Sequence, residues 1–340
     1  MNTKNRVSRA IAAATIVALA SGGLLVAAAP AQAAPIFDAL TVQHYGWVDT
    51  YGPCGGSAGV SDIPADLTIP ENGSRHTQVA VSKDRVNNGD AQDTLSSAAA
   101  ISGTASAISA GGVPTSVRLD FSGTVKAFAG KAPSACYMNA NAKLKFNFSF
   151  TITRPMWATL SYAKGGLAYA EAFIFNNADG NDYEDLYGRA WKSSGSTTTL
   201  LPPGEYGGYL IAWDYQENIR TTLKKAGSGT VKISFAPAGS AVSGPSGKAQ
   251  SYAALGKTRS CSTHALPAKL TTSSKKIKRI KKITFSVNGK TVKTLRGKAV
   301  KRGKAVTLRL GDGSPASVKT TVRLSNGKTL TAKANYRACS

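Results

Sequence analysis

The sequence predicts an all-β protein, with two β-sandwich domains behind a cleaved signal peptide. Three observations carry this reading. Apolar and polar residues alternate with period two through much of residues 34–340, and clusters of Asn, Asp, Gly and Pro separate the alternating runs. The chain also opens with a cationic stretch, a long apolar stretch and a small-residue site.

Lys4, Arg6 and Arg9 precede an apolar run from Ala10 to about Ala29, and Pro30 and Ala31-Gln32-Ala33 follow. That pattern predicts export and cleavage after Ala33. No twin arginine and no cysteine stands near that site, and no later run is long and apolar enough to span a bilayer. The Ala/Gly-rich style is that of a bacterial export. The mature chain is therefore expected to be secreted, as an extracellular or cell-wall-associated protein. The expected division is a signal peptide at 1–33, an aromatic-rich sandwich at 34–236, a linker at 237–258 and a basic sandwich at 259–340.

Export bears on the four cysteines. In an oxidising compartment they read as disulfides rather than metal ligands. Of the three pairings available, Cys54–Cys136 and Cys261–Cys339 keep each bridge inside one domain. In the chain-entropy account, the second closes a loop whose bridging contributes roughly 4 to 5 kcal/mol.

The net charge of +24 is unevenly distributed. Residues 34–255 hold 17 Lys+Arg and 17 Asp+Glu, whereas residues 256–340 hold 22 Lys+Arg against the single Asp312. One module is thus built to meet anions and the other is not.

Within the first domain, NAKLKFNFSFTITRP places Leu144, Phe146, Phe148, Phe150 and Ile152 on one face, and Pro155 ends the strand. The same alternation puts Val117, Leu119 and Phe121 together, and Val231, Ile233 and Phe235 together. MWATLSY, AYAEAFIF and YGGYLIAWDY read as further strands, with NNADGND, KSSGST and LPPGEY as turns. Residues 94–113, rich in Ala, Ser and Gly, are compatible with a strand of small residues, a short helix or a loop. Residues 237–258 read as flexible.

The last domain carries two hairpin signals. A two-residue turn at Asn288-Gly289 puts Phe285 opposite Val292. At the second Asn-Gly, a three-residue loop Ser325-Asn326-Gly327 pairs Val322 with Leu330, keeping one side apolar. KKIKRIKKI fits one helical turn or an irregular approach to the first strand. Short strands closed by a terminal disulfide predict an immunoglobulin-like sandwich.

The run KKITFSVNGKTVKT…VTLRL…SVKTTVRLSNGKTLTAKANYRAC resembles the Ig-like C-terminal modules of exported actinobacterial proteins, which share an F-x-V-N-G-K hairpin and a closing Tyr-x-x-Cys, here Tyr336 to Cys339. Residues 142–236, with FSFTITRP and LPPGEYGGYLIAW, are more distantly similar to secreted jelly-roll domains such as bacterial pre-peptidase C-terminal domains. The resemblance implies non-catalytic accessory or adhesive modules.

Candidate residues follow from charge, ligand chemistry and ring chemistry. Lys275, Lys276, Lys278, Arg279, Lys281, Lys282, Arg309, Lys319, Arg323, Lys333 and Arg337 are candidates for holding a polyanion: an anionic cell-wall polymer or acidic polysaccharide. In the preferred register Lys319 opposes Lys333, and Arg309, Arg323 and Arg337 point outward. Phe285 and Tyr336 are the large aromatics of residues 256–340, too few for a base-stacking platform, which argues against nucleic acid. Asp179, Asn181, Asp182, Glu184 and Asp185 offer hard oxygen ligands for calcium, without EF-hand spacing and within ordinary turn chemistry. Tyr183, Tyr187 and Trp191 are candidates for stacking on neutral glycans, while Trp157 and Trp213 are expected in the core. Gly55-Gly56-Ser57-Ala58-Gly59 matches G-x-S-x-G but lacks a strand before it and a helix after it. No other cofactor is implied. The expected function is non-catalytic binding of polyanions through the basic module. The alternatives are glycan binding or adhesion through the first sandwich, and a hydrolase whose site the residues do not reveal.

Overall fold

A computed structural model describes residues 37–51, 60–62, 65–69, 76–87, 90, 92–110, 113–166, 169–177, 182–188 and 192–340. The signal-peptide reading, Cys54, the G-x-S-x-G match, Asp179, Asn181 and Trp191 lie outside them.

The chain is all-β. The first sandwich comprises β1 (Phe37–Tyr51), β2 (Val60–Asp62), β3 (Leu67–Thr68), β4 (His76–Asn87), β5 (Thr94–Ala110), β6 (Val113–Ala129), β7 (Tyr137–Ile152), β8 (Met156–Gly166), β9 (Tyr169–Asn176), β10 (Asp182–Gly188), β11 (Ser194–Leu201), β12 (Gly204–Ile219) and β13 (Leu223–Pro237). Among the described residues these form two antiparallel sheets, ordered β10-β9-β12-β7-β1-β3 and β11-β8-β13-β6-β5-β4-β2. β7 sits mid-sheet and buries Leu144, Phe146, Phe148, Phe150 and Ile152, as their alternation predicts. Residues 94–110 settle as a strand. Its inward positions are mostly small, and they make room for large side chains from the facing sheet: a Cβ on Gly103 would meet Leu144 Cδ1 at 2.3 Å. Small residues on one sheet thus complement large ones on the other, as close packing requires.

The second sandwich has its own core, including Leu266, Ile283, Phe285, Val318, Val322 and Tyr336. It adds β14 (Ala253–Leu255), β15 (Ala265–Leu270), the helical turn α1 (Ser274–Ile277), β16 (Ile280–Val287), β17 (Lys290–Arg296), β18 (Ala305–Arg309), β19 (Ala316–Leu324) and β20 (Thr329–Tyr336). The sheets are β14-β15-β18 and β17-β16-β19-β20. Cys261 and Cys339 are bonded, with Cα atoms 5.4 Å apart. Cys136 is buried and disulfide-bonded.

The β19–β20 hairpin has the predicted register, with Val322 opposite Leu330, Lys319 opposite Lys333, and Gly327 at φ 86°. The β16–β17 hairpin differs from expectation. Asn288 and Gly289 do make the two-residue turn, at φ 48° and 82°. Past Ser286, however, the register slips by one, so Phe285 faces Lys293 rather than Val292. Val292 and Leu295 are three apart and cannot share a face in a regular strand; the bulge leaves Val292 41% exposed and buries Leu295 opposite Ile283.

Residues 237–258, expected to be a linker, are instead bound to the second sandwich. Ala241 bridges Tyr336, Ser246 bridges Lys333, and β14 belongs to the smaller sheet. Trp157 is half-buried on the outer side of β8 rather than in the core, and its Nε1 donates to the Ala338 carbonyl at 2.9 Å. No helix among the described residues is long and apolar enough to cross a membrane.

Candidate functional site

The outer face of β17-β16-β19-β20 gathers charge in rows. Register aligns Arg296, Lys282 and Arg323 across three strands. The next row is Thr294, Thr284, Thr321 and Thr331, and the row beyond it contains Thr291, Ser286, Lys319 and Lys333. Neighbouring strands lie about 4.8 Å apart, and four residues along a strand separate the two cationic rows by about 13 Å. The module's one carboxylate is not among these groups. Asp312 lies in the loop before β19; hydrogen bonding from the Ser314 side chain, and from Ser314 N at 3.2 Å, holds its carboxylate below the usual carboxylate range.

Of the candidates read from sequence, Lys282, Lys319, Arg323 and Lys333 meet on this face. Arg296 joins them unforeseen, because only the bulge at Val292 turns it outward. Lys275 and Lys276 lie exposed on α1, with Lys276 Nζ 5.9 Å from the centre of the Tyr252 ring. Lys278, Arg279 and Lys281 follow, also exposed, and the Arg279 carbonyl accepts from Ser325 N at 2.7 Å, which brings this segment beside the Lys282–Arg323 row. Two candidates depart from the reading. Arg309 is on β18, in the other sheet. Arg337 does not point freely outward; it is partly buried in a cleft lined by Trp157, Val242, Pro315 and Tyr336.

A second surface lies on the outer face of the six-stranded sheet. One row runs Tyr45, Lys143, Trp213, Tyr169 across β1, β7, β12 and β9. Trp213 is therefore not a core residue; it stacks on Tyr169 at 5.2 Å and 17°, with Lys143 Nζ 5.4 Å from the centre of its ring. Alternation on β12 sends Tyr206, Leu210, Ala212 and Asp214 inward instead. Phe173 stacks on Tyr209, and Tyr51 on Tyr137. Tyr45, Trp47 and Tyr51 are 39%, 43% and 40% exposed, all on β1. Asp182, Tyr183, Glu184, Asp185 and Tyr187 fall on β10, whose side chains, like Asp179, Asn181 and Trp191, lie outside what the structure describes. Among the described residues no three His, Cys, Asp or Glu side chains gather as a metal site.

Two buried polar groups are structural. Arg259, 2% exposed, donates from Nη2 to the carbonyls of Gly313, Ser314 and Arg337, tying together the chain around the Cys261–Cys339 bridge. Asp214 is fully buried between the sheets with no hydrogen-bond partner, and burial pushes its carboxyl up to about 6.

No family model matches the chain, and no curated protein matches it. Likenesses to solved structures are weak. TmCBM61, a carbohydrate-binding module solved in complex with β-1,4-galactotriose, is 6% identical over 31% of this chain and 73% of its own, with a TM-score of 0.20. The adhesin domain of Epf from Streptococcus pyogenes is 10% identical over 87% of this chain and 97% of its own, again with a TM-score of 0.20. A GH2 β-galacturonidase from Eisenbergiella tayi is 11% identical over 56% of this chain and 34% of its own, with a TM-score of 0.16. At such scores none of them carries a functional argument.

Proposed function

We propose that this is a secreted, non-catalytic protein that attaches to anionic polymers of the cell envelope or its surroundings through the outer face of β17-β16-β19-β20. The observation that carries the reading is the pair of cationic rows, Arg296–Lys282–Arg323 and Lys319–Lys333, with hydroxyls between them and no acid among them. Solubility is served by mixed signs, whereas one unbroken sign creates a field for an oppositely charged partner. Rows about 13 Å apart suit charges repeated along a chain better than one compact anion. The intervening threonines can donate to phosphate or carboxylate oxygens. The module's Phe285 and Tyr336 are both buried, so no ring there offers itself to a base.

The test is titration of the mature chain against polyphosphate and polygalacturonate at increasing salt. Binding should be present at low ionic strength and vanish near 1 M, where screening acts within about 3 Å. Replacing Lys282, Arg323, Lys319 and Lys333 together by Ser should weaken it by roughly tenfold or more. Binding that persists at high salt, or is indifferent to these substitutions, would sink the reading.

A further inference from the structure

We propose a second binding site on the first sandwich: the outer face of its six-stranded sheet takes a neutral glycan chain, laid along β1 over Tyr45, Trp47 and Tyr51. Among the described side chains, these rings are the large apolar groups most exposed on this face, at 39%, 43% and 40%. They share one side of one strand, so Tyr45 and Trp47 are about 6.8 Å apart and Tyr51 about 13.6 Å further on, a row of rings spread along the path of an extended polymer. An aromatic face carries negative quadrupole charge and accepts the slightly positive C–H face of a pyranose.

The groups beside the rings have sugar chemistry. Asp49, exposed between Trp47 and Tyr51 on the same side of β1, is paired in register with the partly exposed Asn139, whereas Asn141, opposite Trp47, is buried. Gln43 accepts from the Tyr45 hydroxyl at 3.1 Å and from Asn147 Nδ2 at 2.8 Å, which fixes the amide at one end of the row. An amide both donates to and accepts from hydroxyls, and an ionised carboxylate accepts from them. Past Val42, β1 pairs with β7 among the described residues.

The occupant follows from charge and composition. Lys143 and Lys145 are offset here by Asp49 and Glu171, so the face has no single sign to hold a polyanion, in contrast to the second sandwich. Its one aliphatic side chain between the two charged neighbours, Ile211, is buried, so a lipid or an apolar protein surface would find rings and amides rather than aliphatic contact.

The experiment is affinity gel electrophoresis of the mature chain through gels containing soluble neutral polysaccharides (galactan, xylan, mixed-linkage β-glucan and mannan), with a cellulose pull-down alongside. At least one polymer should retard the wild type, and the retardation should survive about 1 M salt, since little of it is ionic. Trp47→Ala and Tyr51→Ala should each weaken it by roughly tenfold, in line with losing one stacked ring. Both side chains are exposed, so circular dichroism should be unchanged. The variant with Lys282, Arg323, Lys319 and Lys333 replaced by Ser should bind these polymers as the wild type does, which separates this site from the polyanion reading. Retardation by none of the four soluble polymers together with no retention on cellulose, undiminished binding by folded Trp47→Ala and Tyr51→Ala, or loss in salt would each overturn the proposal.

Discussion

Asp214 is the residue whose environment most contradicts its chemistry. It is fully buried, its oxygens have no partner, and Gly123 opposite it leaves the space its carboxylate fills: a Cβ there would meet Asp214 Oδ2 at 2.7 Å. Its carboxyl titrates at about 6 in the fold against 3.8 in the unfolded chain. The folded state therefore holds the proton more tightly. The stability contributed by protonation is complete below the unfolded value and is lost as pH rises through about 6. A shift of about two units corresponds to about 3 kcal/mol. Asp214→Asn should accordingly match the wild type near pH 4 in urea denaturation and exceed it by about 3 kcal/mol near pH 8; equal differences at both pH values would refute this account of the site. In YLIAWDY a hydrophobic pattern argues for Trp213 inside and Asp214 outside, and the pleat does the reverse.

At the scale of the element, legibility depends on how much the two faces of a strand differ. β7 could be read because large apolar residues mark one face. β5 could not, because its inward positions are largely Ala, Ser and Gly, and what specifies them is the bulk of the facing side chains, Leu144 among them. The β19–β20 register was legible because a slip by one residue would mix apolar and polar faces. The β16–β17 register was not, since two apolar residues three apart compete for one face and a bulge resolves the conflict. That bulge also positions part of the proposed site, because it turns Arg296 outward beside Lys282. Deleting Val292 should therefore be tolerated: it leaves Lys293, Leu295 and Arg296 opposite the same partners in a regular hairpin. The expected cost is under about 1 kcal/mol, whereas Leu295→Ala should cost about 2 to 4 kcal/mol. Thermal unfolding of the two variants checks this, and a deletion as damaging as the truncation would show that the bulge itself stabilises the hairpin.

At the scale of the whole molecule, charge is segregated between two packed cores held together in one chain. Residues 34–255 balance their 17 bases with 17 acids, while the second sandwich is almost purely cationic. Trp157 Nε1 donating to the Ala338 carbonyl, and Ala238 N donating to the Pro155 carbonyl, join the two sandwiches, so a polymer held by one brings the other to it. The proposed division of labour is electrostatic attachment through one sandwich and ring stacking through the other. The account stands or falls on whether a particular face, and not net charge alone, holds the polyanion. The most direct measurement compares two variants of equal charge for polyphosphate affinity at fixed low salt. One replaces Lys282, Arg323, Lys319 and Lys333 by Ser; the other replaces Lys298, Lys301, Arg302 and Lys304, which are exposed elsewhere on the same module. The account predicts roughly tenfold or greater weakening in the first and little change in the second. Equal weakening in both would contradict it.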